Sequence, residues 1–314
     1  MEPDLLGAPY ERQTIDLGSD DEGPVTATLV RRRSDRPTGA AVLYLHGFND
    51  YFFQTHLADF YAERGVDFYA LDLRKYGRSL LPHQTPNFVR DLGEYYPELD
   101  EAARIIREAD GHGRLLVNGH STGGLIGSLW AHDRRDAGVV EGLFLNSPFF
   151  DLNEPWLKRK LLTPLVSRLS PLRPYVDLKQ SLNEVYGRSI HRSHAGEWEY
   201  DLTWKPMGSF PVRAGWLRAI HRGQGRLHAG LDIGVPILVA CSTVSYKQAR
   251  WSEEAHHADS VLDVDHIAKW TPALGRHVTL IRVDGGKHDL TLSGPPARKV
   301  LFAELARWLS AYLD

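Results

Sequence analysis

Apolar positions along the chain fall into two periods. Short, almost wholly apolar runs at Ala40 to Leu45, Val66 to Leu71, Leu115 to Val117, Val139 to Leu145, Pro236 to Cys241 and Val278 to Val283 suit strands, most of them buried on both faces. Between them the spacing turns helical. Gln54 to Arg64 is closed by Gly65, and Glu98 to Ala109 places Leu99, Ala102, Ala103, Ile105 and Ile106 on one face before Gly111. Further helices are predicted after the Leu115 strand through Leu125 to Trp130, over Val264 to Leu274, and from Ala297 to Tyr312. The last of these carries a stripe of Leu301, Leu305, Trp308, Leu309 and Tyr312.

Strands that alternate with helices predict an α/β protein with a mainly parallel central sheet and helices on both faces. Two weaker strands, Gln13 to Leu17 and Val25 to Val30, flank the turn-rich Gly18 to Pro24 and are expected to add an antiparallel edge. The rhythm breaks from Phe149 to Met207, where Pro, Arg and aromatic residues dominate and a helical piece at Leu157 to Leu169 is interrupted by Pro164. An excursion of roughly sixty residues inside a compact domain is usually functional, so it is read as a cap over the carboxyl edge of the sheet. The expected organisation is a first core part over 1–148, a cap over 149–210 and a second core part over 211–314.

The apolar run at Leu115 leads into Gly119-His120-Ser121-Thr122-Gly123-Gly124 and then directly into a helical pattern. Strand, Gly-x-Ser-x-Gly and helix in succession is the sequence form of a nucleophile elbow, in which a strained turn exposes the serine hydroxyl. Ser121 is thus a candidate nucleophile. A serine hydroxyl needs a base within hydrogen-bond reach, and that base needs an orienting acid. His288 follows the last strand and the pair Gly285-Gly286, and precedes the terminal helix, which singles it out among 15 histidines.

The acid belongs after the preceding strand, where Asp259 and Asp263 both qualify, Asp263 also suiting a helix N-cap. Asp284 and Asp289 flank His288 closely and are expected to be solvated loop residues. The oxyanion donors are expected to be the backbone N–H groups of Thr122 and of Phe48, in the His46-Gly47-Phe48-Asn49 turn after the Ala40 strand.

Composition narrows the class. A chain of 314 residues with 42% hydrophobic and 25% charged residues has the make-up of a globular enzyme, and a net charge of −3 gives no reason to expect a nucleic-acid partner. No apolar run is long enough to span a bilayer, and the start MEPDLLGAPYERQT has no basic region followed by an apolar stretch. A cytoplasmic protein is expected. Cys241, the single cysteine, ends a strand and reads as a buried, inert thiol. No dinucleotide, Walker or zinc signature is present, and the adjacent His256 and His257 point apart on a regular element, so neither metal nor cofactor is expected.

The HG turn, the GHSTGG elbow, the cap insertion, Ala258-Asp259-Ser260-Val261-Leu262-Asp263 and Gly285-Gly286-Lys287-His288 occur in one order. In that order they resemble the α/β-hydrolases of the monoacylglycerol lipase and lysophospholipase group, also grouped with serine aminopeptidase-like hydrolases. Asp72-Leu73-Arg74-Lys75-Tyr76-Gly77-Arg78-Ser79 resembles that group's Asp-x-Arg-Gly-x-Gly-x-Ser with an altered middle. The resemblance implies an α/β-hydrolase fold and selects Asp259 as the acid. Two departures stand out: residues 242–257 intervene between the strand and Asp259, and the oxyanion loop reads HGFND.

The expected function is hydrolysis of a small-molecule carboxylic ester through an acyl-enzyme, with Ser121, Asp259 and His288 as the triad. His46, His120 and the cap aromatics Trp156 and Trp204 are the expected substrate contacts, and a homodimer is compatible with the sequence. An aminopeptidase or amidase would use the same triad but needs a carboxylate for the substrate ammonium, for which Glu154, Glu184, Glu197 and Glu199 are candidates. A hydrolase-fold binding protein is the third reading, and a complete Ser, His and Asp set speaks against it.

Overall fold

The structure is a computed structural model that describes residues 1–153, 170–178 and 184–312. Its sheet contains β1 (Glu2–Pro3), β2 (Glu11–Asp20), β3 (Gly23–Arg32), β4 (Ala40–Leu45), β5 (Val66–Asp72), β6 (Arg114–His120), β7 (Gly142–Asn146), β8 (Ile237–Ser242) and β9 (Val278–Val283). They lie in the order β1-β2-β3-β5-β4-β6-β7-β8-β9. The first three strands and the β3–β5 pair are antiparallel, and every other pairing is parallel. The antiparallel edge predicted from the two leading strands is present, extended by the short β1.

Alternation along the central strands divides the core. Leu43, Leu45, Val117, Leu143 and Val239 face one layer, packed against helices α2 (Tyr96–Arg104), α3 (Thr122–Asp133), α5 (Ala214–His228) and α6 (Val264–Trp270). Val42, Tyr44, Leu116, Phe144 and Leu238 face the other, packed against α1 (Thr55–Ala62) and α7 (Pro295–Tyr312). Every residue of β4, β5, β7 and β8 is buried, as a strand covered by helices on both faces must be.

Three elements differ from expectation. The helix predicted over Glu98 to Ala109 begins at Tyr96, and its end over Ile105–Ala109 is a π turn. The helix predicted over Val264 to Leu274 ends at Trp270 and tightens into a 3-10 turn over Thr271–Leu274, where Pro272 has no N–H to continue the ladder. Helix α5 was not anticipated. Between Phe149 and α5 the chain leaves the sheet; its described part carries the short helix α4 (Val185–Ile190) and no strand of the sheet. The helical piece expected at Leu157 to Leu169 lies outside the described residues, as do Glu154 and Trp156.

The sheet order reverses at β4. Adjacent strands then leave in opposite directions from their carboxyl ends, opening a crevice there. Leu45 pairs with Gly119 and His120 with Asn146, so the loops after β4, β6 and β7 emerge side by side into that crevice.

Candidate active site

Ser121 sits between β6 and α3 at φ 51° and ψ −117°, a conformation that is costly for a residue with a side chain. The surroundings over-determine it. Its N–H donates to Asn146 O at 3.0 Å, and its carbonyl accepts from Gly124 N–H and Phe149 N–H, each at 3.0 Å. The two flanking glycines are required by close approach: a Cβ on Gly119 would lie 2.7 Å from Gly124 Cα, and one on Gly123 would lie 2.3 Å from Leu45 O. Helix α3 can therefore dock against the end of β4 only if residue 123 has no side chain.

The structure brings Ser121, His288 and Asp259 into one row. His288 Nε2 lies 3.0 Å from Ser121 Oγ, and its Nδ1 lies 2.9 Å from Asp259 Oδ2. All three are buried, Asp259 fully. Asp259 is itself held by the N–H groups of Val261 and Leu262, both donating to Oδ1 at 2.8 Å. That arrangement leaves Oδ2 for the imidazole.

The intervening residues 242–257 do not displace the acid. They loop out and return, closed by a parallel bridge between Ser245 and Asp259 in which Asp259 N–H donates to Val244 O at 2.9 Å and Tyr246 N–H donates to Asp259 O at 2.7 Å. Tyr246, Ala255 and Ala258 of this excursion pack on Val185 of α4, so the excursion props the inserted segment. Asp263 instead caps α6, accepting from Asp265 N–H and pairing with Lys247. Asp284 is exposed, as expected.

Asp289 is a correction. It is 1% exposed, and its oxygens accept from Asn146 Nδ2 at 2.7 Å, from Thr291 N–H and Oγ1, and from Gln54 Nε2. Burial alone would raise its carboxyl, but the neighbouring His120 and the hydrogen bonds from Thr291 and Asn146 hold it below the ordinary value. It anchors the loop that presents His288.

The loop after β4 begins at His46, which is 1% exposed and does not line the cavity. Leu73 N–H donates to its Nε2 at 3.0 Å, so Nδ1 carries the proton and donates to Gly47 O at 2.8 Å. Burial holds the ring's basicity down. His46, expected to touch substrate, thus stands outside the cavity and ties the loop to the backbone of Leu73. A Cβ on Gly47 would lie 3.0 Å from Ser121 Cβ, which shows how closely the loop passes the elbow.

Ser121, Thr122, His288, His120 and Phe48 share one cavity of about 180 Å³, walled mainly by apolar side chains. Phe48 packs on Trp216 from α5 with ring centroids 4.3 Å apart. His120 lies beside His288 with tilted rings 4.9 Å apart, and burial lowers its basicity. Trp204 does not line the cavity; it packs edge-on against Tyr51 at 5.2 Å. Sequence reasoning missed Trp216, although Ala214, Leu217, Ile220 and Leu227 at helical spacing, opposed by Arg218, Arg222 and Arg226, could have found its helix. It also missed Asn49, Asp50, Tyr186 and Lys205, which line the cavity and carry no local signal.

Among the described residues no group of three or more His, Cys, Asp or Glu side chains could hold a metal ion, and no helix is long and apolar enough to cross a membrane. Cys241 is buried and its thiol is pushed up to about 12 by that burial.

A family model described as serine aminopeptidase, S33, matches residues 36–244, well over half of the chain. Among solved structures, a soluble variant of monoglyceride lipase from Saccharomyces cerevisiae aligns with a TM-score of 0.69 at 16% identity, covering 100% of this chain and 97% of that one. A carboxyl esterase from Bacillus coagulans aligns at 0.70 and 15%, covering 96% and 99%. Monoacylglycerol lipase from Paleococcus ferrophilus aligns at 0.67 and 17%, covering 90% and 99%. No curated protein matches the sequence. At these identities the likeness is one of fold, and the fold is that of the α/β-hydrolases.

Proposed function

The chain belongs to the serine aminopeptidase S33 family, and we propose that its own reaction is the hydrolysis of carboxylic esters through an acyl-enzyme. The observation that carries this is the bonded row of Ser121, His288 and Asp259 at the floor of a largely apolar cavity. His288 Nε2 accepts the proton of Ser121 Oγ as that oxygen attacks the carbonyl carbon, while Asp259 holds the imidazole and stabilises its cationic form. Negative charge then develops on the carbonyl oxygen, which the N–H groups of Phe48 and Thr122 receive. Collapse expels the alcohol, protonated by His288. Water, activated by the same imidazole, releases the acid and restores Ser121. No step calls for a metal or cofactor.

Residues 149–210 act in this reading as a cap, of which Phe149, Leu152, Tyr186, Tyr200 and Met207 wall the acyl or aryl side of the substrate. Monoacylglycerols, lysophospholipids and other small acyl or aryl esters are the substrate class, in keeping with the lipase and esterase structures of the same fold.

Aminopeptidase chemistry is disfavoured by one observation. Asp50 is the single carboxylate among the described residues lining the cavity, and Lys205 Nζ already holds it at 2.7 Å. The glutamates proposed for an ammonium site serve otherwise: Glu184 pairs with Arg188, Glu197 with Arg298 and Glu199 with Arg192.

A fluorophosphonate probe and a p-nitrophenyl ester series from acetate to palmitate, with an aminoacyl-anilide control, test the proposal. Labelling that is lost in Ser121→Ala, with ester turnover outpacing anilide turnover, is expected. Labelling that persists in Ser121→Ala would overturn the nucleophile. Fast anilide cleavage with inert esters would favour a peptidase, and no label with no turnover would favour a binding protein.

A further inference from the structure

The three residues that follow Phe48 each bond to the same stretch of the cap. Asn49 Nδ2 donates to Pro206 O at 3.0 Å, and its Oδ1 accepts from Phe210 N–H at 3.1 Å. Asp50 Oδ1 accepts from Lys205 Nζ at 2.7 Å, in a pair whose side chains are 2% and 6% exposed. Tyr51 Oη accepts from Asp201 N–H at 2.7 Å. The bonds span about the whole stretch 201–210.

Besides the packing of Phe48 on Trp216 and the approach of Asp50 Oδ2 to His120 Nε2 at 4.0 Å, the core anchors this loop at its two ends. On one side, His46 is held by Leu73. On the other, the carboxylate of Asp72 accepts from Phe52 N–H at 2.9 Å and pairs with the buried Arg78. Between these anchors Asn49 adopts φ 53°, in the left-handed region that Asn enters more readily than most residues. Both polar atoms of the Asn49 side chain are spent on the stretch 201–210, which ties the turn to it. Lys205 in turn lies over the rings of Phe53, Tyr186 and Tyr200 at 5.5 to 5.8 Å, which holds its ammonium in place on the apolar side.

The two oxyanion donors thus differ in what sets them. Thr122 N–H belongs to the elbow and is placed by backbone packing inside the core. We propose that the Phe48 N–H is placed by the cap, through a clamp in which Asn49, Asp50 and Lys205 are positioning residues. The proposal rests on the ester-hydrolase reading for its kinetic consequence, and on geometry alone for its structural one. Without the bonds from 201–210 the hole would keep one well-aimed donor. The clamp makes those contacts a condition for stabilising the transition state rather than only for substrate retention.

The test uses the full chain with two substitutions, Lys205→Met, which keeps the apolar stem, and Asn49→Gly, which removes both bonds without strain. For p-nitrophenyl acetate, butyrate and hexanoate, kcat should fall about 10- to 100-fold by the same factor for each ester, with KM nearly unchanged, as expected when a transition-state donor is misplaced. Fluorophosphonate labelling should slow in parallel, since phosphonylation develops charge in the same hole, and Lys205→Arg should recover part of the rate. Glu199→Gln, in a surface ion pair of the cap, should leave all rates unchanged. Amide hydrogen exchange should quicken at residues 47–51 and stay slow at 119–124. Unchanged kcat, a loss confined to KM, or a loss that varies with the ester would overturn the clamp, the last two assigning Lys205 to substrate binding. If the wild type neither labels nor hydrolyses esters, the ester reading falls, and the exchange measurement alone still decides the clamp.

Discussion

The elbow and the loop after β4 approach the same hydroxyl from two sides, and they are held by different forces. At the elbow, residues 119–124 are fixed by backbone meeting backbone, with Gly123 against Leu45 O and Gly119 against Gly124. In the loop, the side chains of Asn49 and Asp50 bond to a segment more than 150 positions later. Steric constraint of the first kind tolerates almost no variation in residue type. The second kind depends on polar partners whose donors and acceptors other residue types could also supply. A nucleophile is therefore announced by its neighbours, while the donor opposite it is not.

The strongest challenge to this contrast is Gly123→Ala. Its methyl group would lie 2.3 Å from Leu45 O, a clash that no rotamer relieves. Activity should fall to background, and urea unfolding should show a loss of several kcal/mol, on the order of the largest single-site effects. A folded, active Gly123→Ala variant would show that the elbow is no more rigid than the loop. Asp259→Asn comes next, with kcat expected to drop about 10³- to 10⁴-fold at nearly unchanged stability, because the imidazole loses its orienting partner.

Asp289→Asn should separate the two buried carboxylates that flank His288. It should cost roughly 1–3 kcal/mol of stability, the penalty for unsatisfying a buried acceptor set, with a smaller effect on kcat than Asp259→Asn. The pH dependence has a definite sign. The folded Asp289 carboxyl lies below its ordinary 3.8, so its contribution is complete above that value and is lost as pH falls through the lower folded value. Acid unfolding of the wild type should accordingly be steeper than that of Asp289→Asn.

The smallest expected effect joins core to cap. Lys287 Nζ donates to Ser189 O at 2.6 Å, and burial lowers its ammonium from 10.5 to about 8. Between those two values the unfolded chain binds more protons than the folded one, so this residue makes stability rise with pH from about 8 to 10.5. Thermal unfolding of the wild type against Lys287→Met across that window measures it. An identical pH profile in the two proteins would show that Lys287 is not held as buried as the contact requires.

Much of the architecture was legible because it depends on periodicity. The alternation of apolar runs with helical stripes gave the parallel sheet, and the weaker leading strands gave its antiparallel edge. Helix α5 went unread because its apolar stripe is diluted by glycines at 215, 223 and 225 and adjoins the irregular segment before it. The acid was ambiguous for a different reason. Asp259 and Asp263 both follow β8, and only the Ser245 to Asp259 bridge, which closes the excursion, decides which one meets the imidazole. Asp289 was taken for a solvated loop residue because its partners Gln54 and Asn146 lie far away in sequence.

The sequence by itself determined the sheet, the elbow and the order of candidate nucleophile, acid and base. Each of these follows from local periodicity or from glycines that a tight turn cannot replace. Only the tertiary structure decided which carboxylate joins His288, that His46 and Trp204 stand outside the cavity, and that residues 205–210 bond to Asn49 and Asp50. Those are side-chain contacts between residues distant along the chain, and no local pattern encodes a partner that folding alone brings near.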